Sequence, residues 1–161
     1  MERTAKPPFI AGHEPVGKIA EVGEHVHGLK VGDRVGVFWI QQGCGRCRTC
    51  QIGRPLYCQQ QQSWMDIGGG NAESMIAWAD GCALVPDGVS SIDAAPIFCA
   101  GYTVMSGLHN AAPRPGERVA VLGTGGLGPI AVQISKALGL ETIAVTGSES
   151  KKKEAKELGA D

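Results

Sequence analysis

Four of the six cysteines in this 161-residue chain, Cys44, Cys47, Cys50 and Cys58, fall in one short stretch. Two residues separate each of the first three, and seven separate Cys50 from Cys58, so one loop can turn four sulfurs toward a single centre. Four thiolates around a tetrahedral ion make a closed, structural zinc site with no position open to substrate. Disulfides compete poorly, because two-residue spacings strain most bridges and nothing in the N-terminal residues signals secretion. An iron–sulfur cluster also uses Cys-x2-Cys-x2-Cys, but its fourth cysteine typically comes sooner and precedes proline, whereas Cys58 precedes Gln59. Unligated core thiols do not suit a loop carrying Gly43, Gly45, Arg46, Arg48 and Gly53. Zinc is the reading that remains.

A second chemistry lies in Gly123-Thr124-Gly125-Gly126-Leu127-Gly128, which has the G-x-G-x-x-G spacing between a strand-like run, Arg118 to Leu122, and a helix-like one, Leu127 to Leu138. In that setting Gly123 permits a tight turn and Gly125 lets backbone amides approach a pyrophosphate. Gly128 lets helix and strand pack closely. Dinucleotide binding is favoured over a merely structural turn. An acidic residue at the tip of the next strand would hold the 2′-hydroxyl of NAD. Here the tip reads Thr146-Gly147-Ser148-Glu149-Ser150, followed by Lys151, Lys152 and Lys153. Hydroxyls and ammonium groups suit a 2′-phosphate, so NADP is expected over NAD. The plainer alternative is a capping serine before a charged helix, with Glu149 opposing a phosphate.

The elements that must position these groups divide the chain in two. Residues 1–89 alternate short apolar runs with glycine turns: Val16 to Val22, Arg34 to Trp39, Ala72 to Trp78 and Ala83 to Pro86. This predicts a β-rich, barrel-like domain with the cysteine lobe, 44–58, inserted after the second strand. Residues 90–161 begin with a helix capped by Ser90 or Ser91, its apolar positions Ala95, Phe98, Ala100, Val104 and Leu108 spaced for one face. A strand, helix, strand, helix run follows, the pattern of a parallel sheet. The helix containing Cys99 is expected to bridge the two parts. Lys plus Arg at 15 against Asp plus Glu at 16 builds in no general attraction for nucleic acid or anionic membrane. No apolar run approaches a membrane span, and a reducing, cytoplasmic location is the default.

Gly12-His13-Glu14, then a β-domain, the four-cysteine lobe, Cys99 before Ala100-Gly101-Tyr102-Thr103, and the Gly123 to Gly128 turn together resemble the zinc-dependent medium-chain alcohol dehydrogenases. The tail is most similar to their cinnamyl-alcohol-dehydrogenase-like members. The resemblance implies a GroES-like domain followed by the first half of a Rossmann sheet, an α+β and α/β pair. It implies that His13 and Cys99 ligate a catalytic zinc, with Glu14 beside the metal, and that Cys44, Cys47, Cys50 and Cys58 hold a structural one. Thr103 would lie beside the nicotinamide, Trp39 would line the alcohol pocket, and Ser148 and Lys152 would contact the 2′-phosphate of NADP. Cys82 reads as an incidental thiol.

The implied reaction is hydride transfer between a small-molecule alcohol or aldehyde and NAD(P), by a protein that can form a homo-oligomer. Members of that family extend beyond both ends of this sequence, with a further cysteine ligand upstream and the remaining sheet strands downstream. The chain is therefore expected to act as a fragment with little turnover alone. The alternative reading is a zinc-binding remnant of the family that catalyses nothing.

Overall fold

The computed structural model describes residues 7–161, and the chain divides into two compact units, Met1–Cys99 and Ala100–Asp161. The division falls at Cys99, ten residues beyond the 89/90 boundary read from the sequence.

In the first unit, β1 (Val16–Lys18), β2 (Arg34–Val37) and β5 (Cys82–Leu84) form an antiparallel sheet in the order β1-β2-β5. Val16 lies opposite Gly36, and Val35 opposite Leu84. β3 (Ile40–Gln42) and β4 (Gln62–Ser63) form a separate antiparallel pair that brackets the cysteine lobe in sequence. Val85, Ala94 and Phe98 make the buried core, with Val16, Phe38 and Ala83 packed against them. One contact fixes this core. A Cβ at Gly36 would sit 2.0 Å from the Phe98 ring, so only glycine lets that ring lie on the sheet.

Two local expectations failed. Residues 72–78 form no strand, and Ile76 is 83% exposed; an alternating sequence gains nothing from a pleat that has no surface to cover. The helix expected from Ser90 is broken into α3 (Ser91–Ala94), a 3-10 turn (Ala95–Phe98) and α4 (Ala100–Ala111). Its start is as read, since Ser90 Oγ accepts from the Asp93 N–H at 3.1 Å. Pro96 supplies no N–H for a continuing α-helix, and Cys99, at φ −121° and ψ −75°, lies outside helical geometry.

The second unit pairs β6 (Arg118–Leu122) with β7 (Glu141–Val145) in parallel, from Arg118 opposite Glu141 to Leu122 opposite Val145. α5 (Gly128–Ala137) runs between them in sequence, and α6 (Glu149–Glu157) follows β7. Val132 and Ser135 of α5, Thr142 of β7 and Leu140 just before that strand are all buried. No helix among the described residues is long and apolar enough to cross a membrane.

Candidate metal centres and nucleotide turn

The cysteine lobe is built almost entirely by its own chain. Gly45 and Gly53, at φ +71° and +75°, reverse the backbone around α1 (Arg48–Gln51), and Pro55–Tyr57 forms a 3-10 turn leading to Cys58. The sulfurs of Cys44, Cys47, Cys50 and Cys58 all lie within 4.8 Å of one another. Backbone amides already point at them: the Cys44 and Gln60 N–H groups donate to Cys58 Sγ, and the Cys47 N–H donates to Cys44 Sγ, each at 3.4 Å. Donors aimed at sulfur favour the thiolate form. A Cβ on Gly43 would come within 2.8 Å of Cys50 Sγ, so the cradle is closed to any larger residue there.

The acidities of these thiols diverge in a way that points to a cation. Thr49 Oγ1, 3.1 Å from Cys47 Sγ, together with the Cys50 backbone N–H, lowers the Cys47 thiol to about 6. Burial, then the adjacent Cys47 sulfur, raises Cys50 to about 12. Backbone amides, that of Arg46 first, lower Cys44. One thiolate thus opposes the next. Four sulfurs this close ionise together only around a positive charge, so the donor set suits a thiophilic divalent ion.

His13, Glu14 and Cys99 form the second group, their ligand atoms also within 4.8 Å of one another. His13 Nε2 stands 3.2 Å from Cys99 Sγ and 3.9 Å from Glu14 Oε1. The structure thus brings together residues 86 positions apart. Three features hold them. Backbone N–H groups of Gly69, Gly70 and Asn71 donate to the carbonyls of Ile10, Gly12 and Ala11, pinning the approach to His13. A Cβ on Gly69 would sit 2.3 Å from Ala11 O, which is why that approach needs glycine. Trp39 and Trp64 flank the imidazole at centroid distances of 5.1 and 5.7 Å and meet each other edge to face at 5.4 Å. The Cys99 thiol is pushed up, first by burial and then by the Glu14 carboxylate, so this site too favours an added cation.

Trp64 and the run Gly68-Gly69-Gly70 escaped the sequence reading as parts of this site. Three successive glycines after an aromatic residue were the available signal, since such a run lets a second backbone approach closely.

The glycine turn shows the tight reversal and close approach read at Gly123 and Gly128. Gly123 has φ +87°, and a Cβ on Gly128 would lie 2.2 Å from Gly123 O. Gly125 and Gly126 face open space, and Gly125 lines a cavity of about 360 Å³ with Leu122, Gly123, Leu127 and Gly128 among others. Leu127 is the N-cap residue of α5. At the tip of β7, Ser148 caps α6 by accepting from the Lys151 N–H at 3.4 Å, and Lys152 Nζ lies 3.7 Å from Glu149. Thr103 is exposed on α4. Cys82 Sγ donates to Trp78 O at 3.4 Å and joins neither metal-capable group.

Residues 1–87 match the model of the alcohol dehydrogenase GroES-like domain. The chain belongs to this alcohol dehydrogenase family. It is 48% identical over 157 residues to an alcohol dehydrogenase of Geobacillus stearothermophilus, an alignment covering 97% of this chain and 47% of that protein. The CAD from Helicobacter pylori, solved in complex with NADP(H), superposes with a TM-score of 0.88 at 29% identity, covering 99% of this chain and 49% of its own. An NAD-dependent alcohol dehydrogenase structure superposes at 0.84 with 31% identity, covering 97% and 46%. The chain spans about half the length of the alcohol dehydrogenase relatives it matches.

Proposed function

We propose that this chain carries the metal-binding and cofactor-binding portion of a zinc-dependent alcohol dehydrogenase whose reaction is hydride transfer between an alcohol or aldehyde and NAD(P). The observation that carries the reading is the meeting of His13, Glu14 and Cys99, three donors of different chemistry, in a chain with a separate tetrathiol lobe. Cys44, Cys47, Cys50 and Cys58 would hold a structural zinc. His13 and Cys99 would hold a catalytic one, with Glu14 as neighbour or exchangeable ligand. When bound, zinc at the second site supplies Lewis acidity at an alcohol or carbonyl oxygen, and the hydride chemistry belongs to the nicotinamide. The chain's own part is placement: the His13 ring packs against two indoles that also touch each other, and Trp39, 39% exposed, remains able to contact a substrate.

Residues 90–161 would serve as the opening part of a Rossmann domain, with the pyrophosphate at Gly123, Gly125, Gly126, Leu127 and Gly128, and Thr103 beside the nicotinamide. NADP is favoured over NAD because Thr146, Ser148 and Lys152 stand where an acidic strand tip would be needed to hold a ribose hydroxyl. A reducing cytoplasmic setting suits six cysteines that are all free thiols.

Metal quantification tests the reading. One zinc held tightly in the lobe, with a weaker second zinc that is lost in Cys99→Ala while the lobe keeps its own, is the expected result. A chain that binds zinc only in the lobe, with Cys99→Ala indistinguishable from it, overturns the catalytic assignment and favours a zinc-binding remnant.

A further inference from the structure

We infer that Thr124 is a positioning residue for cofactor choice: through its hydroxyl contact with Thr146 it fixes the tip of β7 as a hydrogen-bond donor, selecting a dinucleotide with a 2′-phosphate over one with a free ribose. The inference rests on the dinucleotide reading above and adds to it a residue inside the glycine turn.

The turn and the strand tip are tied twice. Gly123 N–H donates to Val145 O at 2.9 Å, and one residue further along each strand Thr124 Oγ1 lies 3.0 Å from Thr146 Oγ1. Two hydroxyls in contact share a single hydrogen bond, so one of them keeps a proton to give elsewhere. Burial decides which. Thr124 is 7% exposed, whereas Thr146 is only half-buried. A buried hydroxyl proton left without an acceptor carries the full cost of its desolvation, so the Thr124 proton goes to Thr146 Oγ1. That leaves the Thr146 O–H proton available to another acceptor and strengthens it as a donor through the bond it accepts.

A donor at this position distinguishes the two cofactors. A ribose 2′-hydroxyl is best held by a carboxylate that accepts its proton, and the Thr146 oxygen, neutral and already accepting from Thr124, is a much weaker acceptor than a carboxylate. A phosphate monoester is an acceptor carrying formal charge, and a donor facing it makes a charge-assisted bond about twice as strong as a neutral one. Thr124 touches neither group. It acts by settling the direction of the Thr146 proton.

The test is titration of the 161-residue protein and its Thr124→Val variant with NADP+ and NAD+, with thermal melting to follow the fold. Weakening of the one charge-assisted contact that Thr146 makes, once its hydroxyl loses the Thr124 anchor, predicts NADP+ affinity lower by up to about tenfold, with NAD+ changed by less than about twofold. Thr124→Ser should restore the wild-type ratio. Thr146→Val should lose the same discrimination, and the double variant should be no worse than either single one, the non-additivity of residues acting as a unit. Equal weakening toward both cofactors would make Thr124 a packing residue and overturn the inference. So would a Thr124→Val protein with an unchanged ratio. A wild-type chain that binds neither cofactor overturns the dinucleotide reading itself, and this inference with it.

Discussion

The two metal-capable groups are built in opposite ways. The cysteine lobe draws all four donors from fifteen consecutive residues and needs only its own turns and backbone amides to aim them. The His13, Glu14 and Cys99 group takes donors from 86 residues apart and inherits its geometry from the sheet, the Phe98 ring and the glycine run at Gly68 to Gly70. A local site costs little chain entropy to close, whereas a dispersed one is only as accurate as the core beneath it. The first should therefore survive damage that destroys the second.

The largest effect should come from the lobe's own ligands. Cys47→Ser should strip its zinc and forfeit most of an apparent binding energy of about 10–16 kcal/mol at neutral pH, while the His13 group keeps its metal. Metal content after gel filtration reads both at once. Simultaneous loss of both metals would break the comparison, because it would mean the dispersed site depends on the lobe.

Acidity sharpens the same contrast. Without metal, the Cys47 thiolate stabilises the fold above the ordinary thiol value, and that contribution is lost as pH falls through about 6. Cys50, at about 12, keeps its proton at neutral pH and must release it when zinc binds. Zinc affinity of the lobe should therefore fall by about tenfold per pH unit for each proton displaced, and more steeply below pH 6 as Cys47 also takes up a proton. The dispersed site, with Cys99 as its one thiol, should show the shallower dependence on pH. Competition titrations with a chromophoric chelator across pH measure both slopes, and equal slopes would count against the contrast.

The reciprocal perturbation acts through the core. Gly36→Ala places a Cβ 2.0 Å from the Phe98 ring. Overpacking of this kind costs about 1–3 kcal/mol. Because Phe98 immediately precedes Cys99, the variant should weaken metal binding at the dispersed site while the lobe's zinc is retained, as thermal melting and metal analysis would show. A smaller version is Ser90→Ala, which removes the cap leading into the same segment and should cost about 1 kcal/mol of stability without touching the lobe.

Legibility in the sequence followed the same division. The lobe could be read outright because spacing alone brings its sulfurs together. The βαβ run and its glycine turn were equally readable, because strand, turn and helix are contiguous and each glycine has a local steric reason. His13, Glu14 and Cys99 could be joined only through resemblance to a family, since no periodicity reports a contact made 86 residues away. The strand expected at 72–78 failed because alternation describes a willingness to pair and says nothing of whether a partner lies alongside. The helix expected across Cys99 failed because the reading rested on apolar spacing alone, whereas Pro96 gives up the N–H a continuous α-helix needs.

The glycine turn holds a different lesson about what substitution can reveal. Gly128 is policed by the fold itself, since any side chain there collides with the Gly123 carbonyl. Gly125 and Gly126 face open space and would accept alanine without a clash inside the protein. A library of variants sorted for folding alone should therefore be emptied at 128 and left populated at 125 and 126. The same library sorted on retention of a nucleotide should be emptied at all three. The difference between the two sorted populations would trace where a nucleotide meets the backbone, one position at a time.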